Sequence, residues 1–181
     1  MAKRLYVWLV VAALAGLALL IFSMRSALNH PVPQADRSAA ENLTVTIDEQ
    51  RFVMKDGVAE LDAAPGSAAK NTLRIIGDPV SGDVTGDGKP DSALLLRNEP
   101  GGSGTFYYAV LAVNDGGAYH ASNMLALGDR IVPKGVEFAD RRFVYRFLER
   151  KPGEPMAAEP TVEATIVVQF DQATGRISAL S

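Results

Sequence analysis

Apolar residues recur at every second position in several segments of this chain, and this period does most to narrow its possible folds. In Leu43–Ile47, three apolar residues alternate with two threonines. In Thr161–Phe170, the apolar set is again every other residue: Val162, Ala164, Ile166, Val168 and Phe170. Because successive side chains of a β-strand point to opposite faces, both segments are predicted to be half-buried strands.

The segment Thr105–Val113 differs because it is apolar on both faces and rich in aromatic and branched residues. A strand of that kind is covered on both sides, so we expect it at the centre of a sheet. The turn sequence of residues 114–117 then predicts a hairpin. Further strands are indicated at RFVM, NTLRII, SALLL and RRFVYRFL, and a last hairpin at FDQATGRISAL with its turn around Ala173–Gly175.

After the N-terminal segment, the sequence shows no amphipathic helix of about ten residues. Strands separated by turn residues, without helical periods between them, are typical of antiparallel sheets. The predicted fold class is therefore mainly β, an antiparallel sandwich or open barrel, preceded by one N-terminal transmembrane helix.

The transmembrane helix is predicted from Leu5–Met24, an uncharged run that follows two basic residues. About 20 apolar residues cross a bilayer as a helix, whereas a secretory signal has a core of about 7–15 residues and small residues before its cleavage site. Met24 and Arg25 stand where such small residues are needed. We expect residues 1–25 to be an uncleaved anchor, with a removed signal as the alternative, and the following chain to lie outside the cytoplasm.

Residues 26–42 are polar, contain two prolines and show no sustained period, which predicts a flexible tether before a β domain over residues 43–181. Without the three basic residues of the N-terminal segment, 15 basic residues stand against 21 acidic ones, a net charge of −6. This balance argues against binding to nucleic acid. The chain has no cysteine, which excludes disulfides, thiolate metal sites and a cysteine nucleophile.

An acidic, glycine-containing loop, SGDVTGDGKPDS, spans residues 81–92. Calcium loops of the EF-hand type supply oxygen ligands from positions 1, 3, 5, 7 and 9, with glycine at position 6 where the chain turns sharply. With Asp83 at position 1, Gly88 falls at position 6. The predicted Ca²⁺ ligands are then Asp83, Thr85, Asp87, the carbonyl of Lys89 and Asp91.

Two features of this loop depart from an EF-hand. Thr85 supplies a neutral hydroxyl where an acid or amide is usual, and position 12, Leu94, is not a glutamate. Water or a distant acid would have to complete the ion's shell: Asp78, Glu99 or, as first choice, Asp129. The alternative interpretation is a plain connection between strands in which Asp, Gly and Pro serve turn chemistry. We expect a bound ion to brace the loop rather than to act in catalysis.

The loop GDVTGDGKPD resembles the calcium loops of FG-GAP repeats, the blades of integrin-type β-propellers. The chain carries one copy, so this similarity is local to the loop. Over about residues 64–156, the blocks GDVTGDGKPD, GGSGTFYY and LGDR, in this order, closely resemble a set of uncharacterised bacterial envelope proteins. That resemblance implies an extracytoplasmic β domain, with the anchor in the bacterial inner membrane and the domain facing the periplasm or exterior. It implies no activity.

Other candidate sites favour structural roles. Ser103 lacks the glycine two residues later that a nucleophile elbow requires, because Thr105 stands there. His120 is more typical of a surface position than of a catalytic base. In RRFVYRFL, the aromatic residues Phe143, Tyr145 and Phe147 are predicted to be buried, and Arg142, Arg146 and Arg150 to face solvent.

The basic residues around this segment form one cluster: Arg141, Arg142, Arg146, Arg150 and Lys151. We interpret the cluster as a charged strand edge that discourages pairing with other chains, with docking of an anionic envelope polymer or lipid as the alternative.

Two classes of function remain open. The first is a non-enzymatic, membrane-anchored module, braced by Ca²⁺, that binds an envelope protein or polymer. The alternative is an envelope hydrolase that uses acidic residues near the loop. The sequence offers no histidine pair, no cysteine and no recognisable catalytic motif, which favours the first class.

Overall fold

The computed structural model describes residues 34–180. They form one short helix, α1 (Gln34–Ala40), followed by strands. The strands are β1 (Thr44–Ile47), β2 (Gln50–Val53), β3 (Val58–Asp62), β4 (Lys70–Ile75), β5 (Val80–Gly82), β6 (Asp91–Glu99), β7 (Phe106–Asn114), β8 (Tyr119–Ala121), β9 (Leu125–Asp129), β10 (Val132–Ala139), β11 (Arg142–Glu149), β12 (Val162–Asp171) and β13 (Arg176–Ala179).

The predicted membrane anchor, residues 1–25 with the span Leu5–Met24, lies outside the described residues. Within residues 34–180, no helix is both long enough and apolar enough to cross a bilayer.

The strands form three antiparallel sheets. β1 and β2 make a separate hairpin, and β10-β11-β12-β13 make a four-stranded sheet in that order. The seven-stranded sheet has the order β3-β4-β6-β7-β8, with β5 also pairing β6 and β9 also pairing β7. This sheet curls into a half-barrel. The prediction of a mainly antiparallel β domain is therefore confirmed, and the Thr105–Val113 segment is the central strand β7 as expected.

The pair β6–β7 lies between two hydrophobic cores because both of its faces are apolar. On one face, Leu94, Leu96 and Val110 pack under the β1–β2 hairpin. On the other face, Leu95 and Leu111 pack against the four-stranded sheet. The sequences of these two central strands are therefore continuous apolar runs, whereas β1 alternates exposed and buried residues.

The four-stranded sheet confirms most of the predicted side-chain alternation. Phe143, Tyr145 and Phe147 are all buried, with exposures of 0%, 1% and 3%. Arg142 and Arg146 are exposed as predicted. The prediction for Arg150 is wrong: it follows the end of β11 and is half-buried, and its guanidinium donates to the carbonyls of Asp129, Arg130 and Ala158 at 3.2, 3.4 and 2.6 Å.

The basic cluster is also not a strand edge. β11 carries two of its arginines and is paired on both sides, with β10 and with β12. The interpretation as an edge that blocks pairing is therefore wrong, because the edges of this sheet are β10 and β13. Residues so close in sequence looked like one cluster, yet Arg146 pairs with Glu137 across the sheet while Arg150 binds backbone carbonyls.

The helix α1 lies inside segment 26–42, for which the sequence predicts a tether without regular structure. Its last residue, Ala40, is fully buried in the core beneath the β1–β2 hairpin. Arg37 forms an ion pair with Glu41 at 3.0 Å and another with Asp78. Seven residues are too few to show a helical period, so the helix depends on these tertiary contacts.

Candidate functional site

The predicted calcium loop connects β5 to β6, which pair in antiparallel register. Gly86 and Gly88 have φ values of 79° and 84°, a left-handed conformation that glycine adopts without strain. These two glycines let the chain reverse twice, so that successive backbone amides point towards the inside of the loop.

The carboxylate of Asp83 accepts two of these amides. Its Oδ1 accepts from the amide of Gly86 at 2.5 Å and its Oδ2 from the amide of Gly88 at 3.0 Å. Asp83 thus acts as an internal cap for the turn, which is the role that Asp commonly has in tight loops.

The hydroxyl of Thr85 lies between two carboxylates. Its Oγ1 is 3.3 Å from Oδ1 of Asp83 and 3.2 Å from Oδ1 of Asp87. A hydroxyl carries a single proton, so it can donate to only one of these oxygens at a time. The structure therefore brings three predicted ligand side chains, Asp83, Thr85 and Asp87, to one point.

Two basic groups lie close to this point. The ammonium of Lys89 is 3.2 Å from Oδ2 of Asp87 and donates to the carbonyl of Asp115 at 2.8 Å. The backbone amide of Lys89, the largest cause, and its ammonium both lower the pKa of Asp87. Arg141, from the β10–β11 turn, places its guanidinium where a Cβ on Gly86 would stand.

The carboxylate of Asp91 is fully buried. Its Oδ2 accepts the amides of Val84 and Thr85 at 3.0 and 3.2 Å, and its Oδ1 accepts the amide of Asn114 at 2.9 Å. Burial raises the pKa of Asp91, and the three amides together with the Thr85 hydroxyl oppose that rise. Asp91 therefore joins the loop to the end of β7.

The distant acids proposed to complete the ion shell do not reach the loop. Asp129 is paired with Phe106 at the start of β7, whereas Asp91 contacts Asn114 at its end. These positions are eight residues apart along β7, which is about 27 Å of strand. Asp129 instead accepts the amide of Thr105 at 2.9 Å. The first-choice acid is therefore wrong, because sequence alone did not show at which end of β7 it would lie.

The other two acids, Glu99 and Asp78, form ion pairs with arginines. Glu99 ends β6, at the opposite end of that strand from Asp91, and its carboxylate is 3.1 Å from Arg97. Asp78 pairs with Arg37. Among residues 34–180, no group of three or more His, Cys, Asp or Glu side chains is arranged to hold a metal ion.

Two other residues considered from sequence have structural partners. The carbonyl of Ser103 accepts from the guanidinium of Arg130, and the exposed imidazole of His120 lies 2.8 Å from the carboxylate of Asp115. Asp115 in turn accepts the amides of Gly117 and Ala118, both at 2.9 Å. These contacts tie down the turns at either end of β7.

The second region with the shape of a site is a groove on the hairpin face of the seven-stranded sheet. The four-residue strands of the hairpin extend about 13 Å, whereas β6 and β7, with nine residues each, extend about 30 Å. The hairpin covers Val110 and Ala112 but leaves the start of β7 open. On that open part, Phe106 is therefore exposed and Tyr108 is half-buried.

This groove consists of two adjoining cavities of about 570 and 310 Å³. Ile47, Asp48 and Tyr108 line both. The larger cavity extends along β1 to the β12–β13 turn at Arg176. The groove could not be recognised in the sequence because its walls come from seven separate parts of the chain. The one available signal was the aromatic pair in GGSGTFYY.

The acidic loop and the smaller cavity lie at opposite ends of the β6–β7 pair and belong to different faces of the sheet. Asp91 faces the four-stranded sheet side, whereas Asn98 lies on the hairpin side and lines the smaller cavity. They are therefore separate regions. Comparisons of the chain with protein-family models, with curated proteins and with solved structures find no match.

Proposed function

We propose that this protein is a membrane-anchored, non-enzymatic module of the bacterial envelope that binds an envelope protein or polymer. Leu5–Met24 forms the single span in the inner membrane, and the β domain faces the periplasm or exterior. The resemblance of the GDVTGDGKPD, GGSGTFYY and LGDR blocks to bacterial envelope proteins supports this location. The finer fold assignment within the proposal is an antiparallel sandwich or open barrel behind that helix.

The groove is the observation that carries the binding function. Binding sites are concave, have a volume of about 300–1,000 Å³ and place a few polar groups beside apolar and aromatic side chains. The volumes of the two cavities, about 570 and 310 Å³, each fall in this range, and so does their sum. Phe106, which lines the smaller cavity, is 36% exposed, although large apolar side chains favour burial. An exposed aromatic side chain in a concave surface is typical of a binding site.

We also propose that the loop is braced by Ca²⁺, with Asp83, Thr85, Asp87 and the carbonyl of Lys89 as ligands and Asp91 as the fifth or as a support. The position of Thr85 supports this proposal. Its single proton can relieve the repulsion at one carboxylate only, so a cation between the oxygens would stabilise the second contact. The amides that Asp83 and Asp91 accept hold the loop ready for the ion.

Cell fractionation tests the proposed location. We expect the full-length chain to sediment with inner membranes and its C-terminal domain to be digested by protease added to spheroplasts but not to intact cells. A mature chain that begins between residues 26 and 35, or a domain protected in spheroplasts, would contradict the anchor or its orientation.

Co-sedimentation tests the binding function. The full-length chain, reconstituted in lipid nanodiscs, is mixed with envelopes isolated from the same cells. We expect Phe106→Ala, in the groove, to reduce binding at least fivefold. Val132→Ala is the control, because Val132 is similarly exposed, 41% against 36% for Phe106, but lies on the four-stranded sheet. Envelopes that bind neither the native chain nor the control above background would exclude the function.

A further inference from the structure

The floor of the smaller cavity is a chain of three hydrogen-bonded amides. Nδ2 of Asn98 donates to Oδ1 of Asn71 at 2.6 Å, and Nδ2 of Asn71 donates to Oε1 of Gln50 at 2.8 Å. Asn71 and Asn98 are 7% and 4% exposed, although amide side chains favour the surface. The hydrogen bonds give the chain one direction, because each amide fixes the orientation of the next, and Gln50 forms its exposed end.

This chain leaves unused hydrogen-bonding groups at both ends. Nε2 of Gln50 donates no hydrogen bond, and Oδ1 of Asn98 accepts none, within residues 34–180. Both side chains line the cavity. The floor therefore presents donors and an acceptor in fixed positions, which suits a ligand that itself carries an adjacent acceptor and donor.

The wall beside this floor is apolar. It consists of Ala63, Pro100 and the ring of Phe106. The ring occupies the space that a Cβ on Gly104 would fill, so the glycine in GGSGTF makes room for it. A flat aromatic surface next to fixed amides is the combination that holds a sugar ring, whose C–H face packs on the aromatic ring while its polar groups bind at the edge.

The same surface continues into the larger cavity. Tyr108 follows Phe106 on the same face of β7, about 7 Å further along the strand, and lines both cavities. Burial, and then the charge of Asp48, raise the pKa of Tyr108, so its hydroxyl stays protonated and can donate. Asp48 and Arg176 line the larger cavity with opposite charges, which suits a neutral ligand.

We propose that this groove binds a neutral glycan chain of N-acetylated amino sugars. This inference rests on the proposed function and specifies the polymer. An acetamido group carries an N–H donor, a carbonyl acceptor and a methyl group, which match the amide floor and the apolar wall of the smaller cavity. The adjoining larger cavity accommodates the next sugars. A peptide added as a strand would instead bind the backbone edge of β1 and would not require the three amides.

Calorimetry with two neutral tetrasaccharides tests the proposal. The full-length chain in lipid nanodiscs, which avoid competing sugar detergents, is titrated with chitotetraose, the β-1,4 tetramer of N-acetylglucosamine. Cellotetraose is the matched control because it has the same linkage without acetamido groups. We expect chitotetraose to bind at least tenfold tighter, since polar groups built for a ligand are left unpaired by an analogue that lacks their partner.

Two glutamine variants locate the site. Gln50→Ala removes the exposed end of the amide chain, and we expect it to weaken chitotetraose binding at least fivefold. Gln169→Ala, at another exposed glutamine, on β12 of the four-stranded sheet, should leave binding unchanged. Equal loss in both variants would overturn the assignment to the groove.

Envelope binding separates the failure of this inference from the failure of the proposed function. If the chain binds isolated envelopes but binds both tetrasaccharides equally, or neither, the glycan proposal is overturned while the binding function stands. If protease treatment of the envelopes removes their binding, the groove's ligand is a peptide and the glycan proposal is likewise overturned. If envelopes do not bind the chain at all, the proposed function itself fails.

Discussion

Oδ1 of Asp91 accepts a hydrogen bond from the backbone amide of Asn114 at 2.9 Å, so a fully buried carboxylate joins the acidic loop to the end of β7. Its other oxygen accepts the amides of Val84 and Thr85. Backbone donors shielded from water without a partner destabilise a fold, and this one side chain accepts three amides, of which that of Val84 also donates to the carbonyl of Gly82 at 3.1 Å. Asp91 is thus a structural residue of the domain, whether or not an ion is bound.

Asp91→Ala should be destabilising because it leaves the part-buried amides of Thr85 and Asn114 without this acceptor, whereas the amide of Val84 keeps the carbonyl of Gly82. At about 1–3 kcal/mol for each unsatisfied group, we expect the free energy of unfolding to fall by at least about 2 kcal/mol. Asp87→Ala is the control: its side chain is exposed, so the amide it releases can bind water, and we expect a loss below about 1 kcal/mol. Chemical denaturation of both variants measures the difference, and similar losses would contradict the role of Asp91.

Tyr145→Phe tests the contact between the two sheets. The Tyr145 hydroxyl is buried and donates to the carbonyl of Leu94 on β6 at 3.1 Å. Its loss should lower the free energy of unfolding by about 0.5–1.5 kcal/mol. Phe143→Ala, two residues earlier on the same face, should cost about 3–5 kcal/mol because it also leaves a cavity.

Arg146→Ala is the control for these variants. It follows Tyr145 on β11 but faces solvent, where it pairs with Glu137. Exposed ion pairs contribute about 0–1 kcal/mol, so we expect a small change in the melting curve. An Arg146 variant as unstable as the Phe143 variant would show that the alternation on β11 is misassigned.

Much of the fold could be predicted because burial follows a period of two. Leu43, Val45 and Ile47 are buried while Thr44 and Thr46 are exposed, as their alternation indicates. That rule needs only neighbouring residues. It failed at Arg150, which lies beyond the end of β11, where no sheet fixes the direction of the side chain.

The candidate sites were less predictable because they depend on which strands pair. Asn71 and Asn98 are 27 residues apart, and their contact exists only because β4 pairs with β6. The pairing of β9 with the start of β7 likewise puts Asp129 far from the acidic loop. In contrast, the contacts among Asp83, Thr85 and Asp87 lie within five residues and depend on the loop alone, and the binding of an ion by the predicted ligands stays a prediction.

The hairpin turn between β7 and β8 should make stability depend on pH in the acid range. The amides of Ala118 and Gly117, and then His120, lower the pKa of Asp115 from 3.8 to about 2. A lowered pKa in the folded state means that the stabilisation is complete above about pH 4 and is lost as the pH falls through about 2. Asp115→Asn should flatten the dependence of the melting temperature on pH in this window. Identical slopes for the native chain and the variant would contradict it.

Calcium should raise the melting temperature of the full-length chain. In the ion-free loop, Asp83 and Asp87 lie on either side of one hydroxyl, and a cation relieves their repulsion. A ligand bound only by the folded state stabilises it by RT ln(1 + [L]/Kd), about 2.7 kcal/mol at 100 times Kd. For a domain of this size, that corresponds to about 5–10 °C.

Two charge-removing variants show whether the loop is responsible for such a shift. Asp87→Ala should abolish the response to Ca²⁺, because it removes a central ligand and one of the two repelling charges. Glu159→Gln removes an exposed acid elsewhere and should retain the full response. Differential scanning calorimetry in saturating Ca²⁺ and in chelator makes the comparison. Coincident melting curves for the native chain in these two conditions would mean that hydrogen bonds alone hold the loop, with the amides of Gly86 and Gly88 satisfying Asp83.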